Sequence, residues 1–225
     1  MIARWRRLLR HLSGHRDPGH YPNHPAWWLL ELVFYLLDLL AVPDLLMLLN
    51  RLVKPGQRKL TAREVALVRS VFSNHVDYWK VQLDTRAHLG PRQFGFAYVG
   101  FYVINSWGPL TDPRLIHELI HVWQYQHLGS VYIPRALWAQ HAGGGYDYGG
   151  EARLCAVYEK GGGLLDFNYE QMGEVVADYF RLQHRQQPKY CRNDEQLLPV
   201  LAALVHGGLE ALGPTHQKKP FSISR

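Results

Sequence analysis

The most apolar stretch of the chain begins at Trp27, runs as WWLLELVFYLLDLLAV to Val42, and resumes after Pro43-Asp44 as LLMLL to Leu49. Its first piece is sixteen residues long, short of the ~20 that cross a bilayer as one helix. Glu31, Asp38 and Asp44, at about +3 kcal/mol each, offset leucines at about −0.5 kcal/mol each, so insertion sums to near zero. Glu31, Tyr35 and Asp38 stand at i, i+4 and i+7, one narrow polar stripe on an otherwise apolar helix. The pattern predicts a helical hairpin, packed on a core or lying in a membrane interface with Trp27 and Trp28 at the boundary.

Further along, Thr61-Ala62-Arg63-Glu64 is a capping box and predicts a helix from there to about Ser73. Residues 79–84 alternate apolar and polar and predict a strand; residues 96–104, aromatic and β-branched, predict a second strand or hairpin arm. Asp112 as N-cap, Pro113 at the first helical position and Gly129 as the stop delimit the clearest helix. Asn168 with Gln171 three residues on opens another, to about His184. Residues 194–212 are helical in pattern, disturbed by Pro199 and Gly207-Gly208. Glycine clusters at 143–145, 149–150 and 161–163 predict a long, mobile connection.

With 225 residues, 47% apolar and 20% charged, the chain reads as one folded domain plus an appendage, not as a disordered segment. The pattern divides it into a basic arm and apolar helical segment (1–53), a linker (54–60) and the domain proper (61–225). The net charge of +6 is concentrated at the ends: residues 1–25 carry +4 and residues 218–225 carry +3, which leaves the body at −1. That distribution argues against nucleic acid as a partner and favours a membrane surface reached through residues 1–52. The long basic region has no A-x-A-like site after it, so a cleavable signal peptide is not expected. Cys155 and Cys191 are too few for a disulfide scaffold and read as unpaired thiols.

Within the helix opened by Asp112 stands His117-Glu118-Leu119-Ile120-His121, the pattern H-E-x-x-H. Residues four apart share a helical face, so both imidazoles reach one metal ion, and Glu118 beside them is placed as a base rather than a ligand. In this composition the pattern arises by chance about three times in a hundred, so the capped helix around it matters. The expected metal is zinc, which activates water for attack on a carbonyl.

A third ligand is needed. His127, six residues beyond His121, has the spacing of a third histidine but lacks a glycine to turn the chain at Gln124. If the helix continues, it rotates off the metal face and becomes a helix C-terminal histidine on the dipole. Glu174 in Glu174-Val175-Val176-Ala177-Asp178 is preferred, with Asp178 one turn on as acceptor for a ligand imidazole. Glu170 and Glu151 are the remaining alternatives. A donor for the developing oxyanion is sought in the glycine-rich connection, where Tyr148 is assigned the role and Tyr146 and His141 are the other candidates.

HELIH with a downstream E-x-x-x-D resembles the gluzincin arrangement of the thermolysin class. More closely, LIHELIHVWQYQHLG (115–129) and FNYEQMGEVVADYF (167–180) resemble bacterial zincin-like domains of type VI secretion spike, Rhs-type and contractile-injection proteins. The lead-in LTAREVALVRSVFSNHVDYWKVQLD (60–84) looks similar too, so the likeness spans about 60–182. It implies His117, His121 and Glu174 on zinc, Glu118 as catalytic base, and delivery by a contractile secretion system; association with a membrane is expected from the basic arm and the apolar stretch instead. The expectation is therefore a mainly helical α+β, zincin-like domain with a small sheet and an N-terminal apolar helical appendage. Its function would be that of a zinc metallopeptidase acting on a protein or peptide. The rival expectation is a membrane-surface or assembly module whose metal site is structural or inactive.

Overall fold

A computed structural model describes residues 1–54, 56–88 and 90–213 of the chain, so the basic residues Lys218, Lys219 and Arg225 lie outside the described residues. The N-terminal part comprises α1 (Ile2–Leu12), α2 (Pro25–Leu39) and α3 (Val42–Val53). Next come β1 (Arg58–Lys59), α4 (Ala62–Phe72), β2 (Gln82–Asp84), the short α5 (Pro91–Phe94), β3 (Tyr98–Gly100) and β4 (Val103–Asn105). Among the described residues that follow lie the helices α6 (Asp112–Leu128), α7 (Tyr132–His141), α8 (Gly150–Glu159), α9 (Tyr169–Gln183) and α10 (Leu198–Ala211). The chain is thus α+β and mainly helical. Its small sheet has the order β1-β2-β4-β3, parallel between β2 and β4 and antiparallel at both edges.

The capping signals act where the sequence puts them. Thr61 and Glu64 close a reciprocal capping box on α4, and Asn168 and Gln171 do the same on α9. At α6 the cap moves by one residue: Thr111 is the extended N-cap, and Asp112 enters the first turn, where its carboxylate takes a 2.7 Å ion pair from Arg63. The expected long mobile connection instead contains α8, with Gly149 as its N-cap and Gly161 just past its C-cap Lys160. Gly149 and Gly150 adopt φ of +87° and +68°, a conformation that L side chains rarely adopt. In α10, Gly208 is retained inside the helix because Leu164 packs against its bare Cα.

The main core gathers Phe72 and Val68 of α4, Leu83 and Ile104 of the sheet, and the inner faces of α6, α9 and α10. The helix α6 is enclosed almost all round, and its closest partner along its length is α9. A second cluster around Tyr35, Tyr125, Tyr132 and Tyr169 attaches the N-terminal helices to this body.

That attachment is polar at its centre. Arg135 of α7, 1% exposed, donates from Nε to Glu31 at 2.7 Å and from Nη1 to Asp17 at 3.1 Å and to the Tyr169 hydroxyl at 2.9 Å. The Tyr21 ring lies 4.0 Å beneath its guanidinium. Tyr35 donates to Asp17, and Asp38 accepts the Ser130 backbone N–H at 3.0 Å. The polar stripe of α2 therefore faces inward. Removing Arg135 would leave Glu31 paired only with His11 at 3.6 Å and Asp17 only with Arg10 at 3.9 Å among the described residues, at a cost on the order of 3–5 kcal/mol. Arg135→Ala is expected to lower stability by that amount in urea denaturation.

Candidate metal centre

The helix α6 presents His117 and His121 on one face, and the first turn of α9 brings Glu170 opposite them. Glu170 Oε2 lies 3.4 Å from His117 Nε2 and 3.5 Å from His121 Nε2. One donor atom from each of these three buried residues falls within 4.8 Å of the others, a spacing that suits a single cation. Two imidazoles with one carboxylate are also the donor types of a catalytic zinc site with an open position.

Each imidazole has a partner on its far side. His121 Nδ1 stands 2.8 Å from Gln124 Oε1, and Gln124 donates in turn to the Tyr169 carbonyl at 3.1 Å. His117 Nδ1 makes no hydrogen bond, but it lies 3.5 Å from Glu174 Oε1. Glu174 is itself held by Lys189 at 3.1 Å and Arg181 at 3.6 Å. The expected ligand Glu174 thus stands behind His117 rather than between the two histidines. Four residues of α9 advance ~6 Å along its axis, which takes Glu174 past His117 and leaves Glu170 facing both rings.

Two further expectations are corrected. Asp178 does not meet a ligand imidazole; it is fully buried and accepts from the Tyr148 hydroxyl at 2.8 Å, from Arg181, and from the backbone of Lys189 and Tyr190. Tyr148, equally buried, is spent on that bond, so it has no route to the metal face. Its neighbour Tyr146 does: the ring centroid lies 5.9 Å from that of His117, and the hydroxyl accepts from Gln140 at 2.7 Å. His127 stands in the last turn of α6, off the metal-facing pair as expected, and burial and the nearby His75 push its imidazole down to about 4. Glu151 lies against Arg192, His141 is exposed at the end of α7, and both cysteines are free.

The site is strongly polarised. Burial pushes the Glu118 carboxyl above its ordinary range, opposed by the charges of His117 and His121. Burial alone would lower His121, but the Glu170 charge and hydrogen bond lift it to about 9. Burial likewise disfavours the Glu170 anion, yet the two histidines hold it down at about 2.

Sequence reasoning missed Gly173. A Cβ there would lie 2.6 Å from His117 Cε1, so the bare helix backbone forms the wall on which the ring rests. The available signal was a glycine in a helix interior, which costs ~1 kcal/mol against alanine and calls for a packing reason.

Over 55% of its length the chain is 30% identical to the type VI secretion system spike protein VgrG2b of Pseudomonas aeruginosa. The match spans 13% of that protein's own length. No family model and no solved structure matches the chain.

Gly173→Ala is expected to lower the melting temperature in spite of its ~1 kcal/mol gain in helix propensity. If the cluster holds Zn²⁺, the displaced His117 ring should also weaken its binding about tenfold or more. Calorimetric melts with and without Zn²⁺ read both effects.

Proposed function

We propose that the chain is a zinc-dependent hydrolase, in its simplest form a metallopeptidase. The observation that carries the reading is the convergence of His117 Nε2, His121 Nε2 and Glu170 Oε2 with a buried Glu118 beside them in the chain. These residues would hold the ion through two nitrogens and one oxygen. Bound zinc would supply an activated water and a Lewis acid for the scissile carbonyl.

The geometry supports the part each neighbouring side chain would take. Glu118, made more basic by burial, takes the proton of the attacking water and passes it to the leaving amine. Gln124 fixes the His121 tautomer, and Glu174, steadied by Lys189, orients His117. Tyr146 accepts from Gln140, which leaves its own hydroxyl proton free for the developing oxyanion. Similarity to a secretion spike protein supports a bacterial setting in which the chain is delivered by a contractile secretion system.

Two experiments test this. Glu118→Gln should keep about one zinc per chain and lose hydrolysis of a proteome-derived peptide library by about 10²- to 10⁴-fold, as read by mass spectrometry of new N-termini. Elemental analysis separates the two glutamates: Glu170→Ala should lose zinc, and Glu174→Ala should keep it at weakened affinity. The reverse result would move Glu174 onto the metal.

A further inference from the structure

The N-terminal helices are inside out relative to an ordinary surface helix. Glu31, Tyr35 and Asp38 face the body, and Leu29, Val33 and Leu36, about half a turn away on α2, face outward. The pattern continues on both neighbours: Trp5 and Leu9 of α1 and Leu45 and Leu52 of α3 are exposed. Among the described residues, 17 of the 24 exposed large apolar side chains belong to residues 1–53. A contiguous apolar face of this kind marks an interaction site.

Charge identifies the occupant. Arg6 and Arg10 share the outer face of α1 with Ile2, Trp5 and Leu9. A cleft of about 940 Å³ opens beside α3, with Arg51, Lys54, Lys59 and Lys80 in its wall. Lys54 and Lys80 pair with Asp84 and Asp77, whereas Arg6, Arg51 and Lys59 make no ion pair among the described residues. Leucines and tryptophans flanked by unneutralised cations match an acyl layer beneath anionic headgroups. No single helix among the described residues is long and apolar enough to cross a membrane; α2 and α3 reach that length and composition only as a pair bent by 64°. The bend, at Ala41 with φ +58°, spreads the two helices along a surface.

We infer that residues 1–53 dock the protein on an anionic lipid bilayer, with the outer faces of α1, α2 and α3 in the interface and Arg6 and Arg51 at the headgroup phosphates. The test is flotation of the full chain with phosphatidylcholine vesicles, with and without phosphatidylglycerol. The parent should float with the anionic vesicles. Leu29→Glu/Val33→Glu/Leu36→Glu, all on exposed positions and checked for native circular dichroism, should stay at the bottom. Arg6→Ala/Arg51→Ala should bind about fivefold more weakly per arginine at low salt, a difference that high salt erases. A parent that does not float overturns the inference, as does a leucine-face variant that floats like the parent. An eluting dimer that the leucine-face variant splits into monomers would assign the face to a second copy instead.

Discussion

The polar centre depends on how closely α9 can approach α6. A helix backbone normally stands off by the length of a side chain; at Gly173 it does not, and the His117 ring lies directly on it. That contact sets which nitrogen of His117 points where. With the ring pressed to the backbone of α9, Nε2 turns toward Glu170 and Nδ1 toward Glu174. Two glutamates one turn apart on the same helix thereby acquire different tasks. One stands where a cation would be held, and the other behind the imidazole that helps to hold it. Burial makes both positions expensive for a charge, and the histidines, Lys189 and Arg181 offset that cost.

Much of this was legible in the sequence. The capping boxes at Thr61 and Asn168, the Gly129 stop and the α6 histidine pair are local features, governed by spacing within one or two turns, and they stand where the pattern puts them. The pairing of Glu170 with both histidines was not legible, because it depends on the direction and stagger of two helices, with Glu170 49 positions beyond His121 in the chain. Glu170 had a sufficient local explanation as a first-turn acid, and that explanation concealed its tertiary one. Tyr146 and Tyr148 failed for a similar reason. Residues two apart in an irregular segment point in different directions, and only the bond to Asp178 shows which of them is committed to the core.

The N-terminal helices illustrate the limit of periodicity in a different way. An apolar helix with one polar stripe suggests that the stripe faces water; here a buried arginine reverses it. Arg135 makes the interior the better place for Glu31 and Asp17 and sends the leucines outward. No hydrophobicity scale can anticipate that reversal, since the deciding charge lies about a hundred residues away in the chain.

The same arginine ties the outward-facing helices to the His117, His121 and Glu170 cluster. Arg135 bonds the hydroxyl of Tyr169, the first residue of α9, and Tyr21 packs edge-on against its ring. The carbonyl of Tyr169 receives Gln124, whose other end meets His121 Nδ1, and the next residue in the chain is Glu170. Residues 1–39 therefore form part of the frame that places the first turn of α9, in addition to presenting an apolar surface. Truncation of the N-terminal segment would strip Arg135 of both acids and loosen the turn that carries Glu170. Loss of metal binding or activity in such a truncation would report on this frame as much as on any surface the segment docks to. Substitutions on the outward face leave the inward stripe intact, so they separate this frame from the proposed docking.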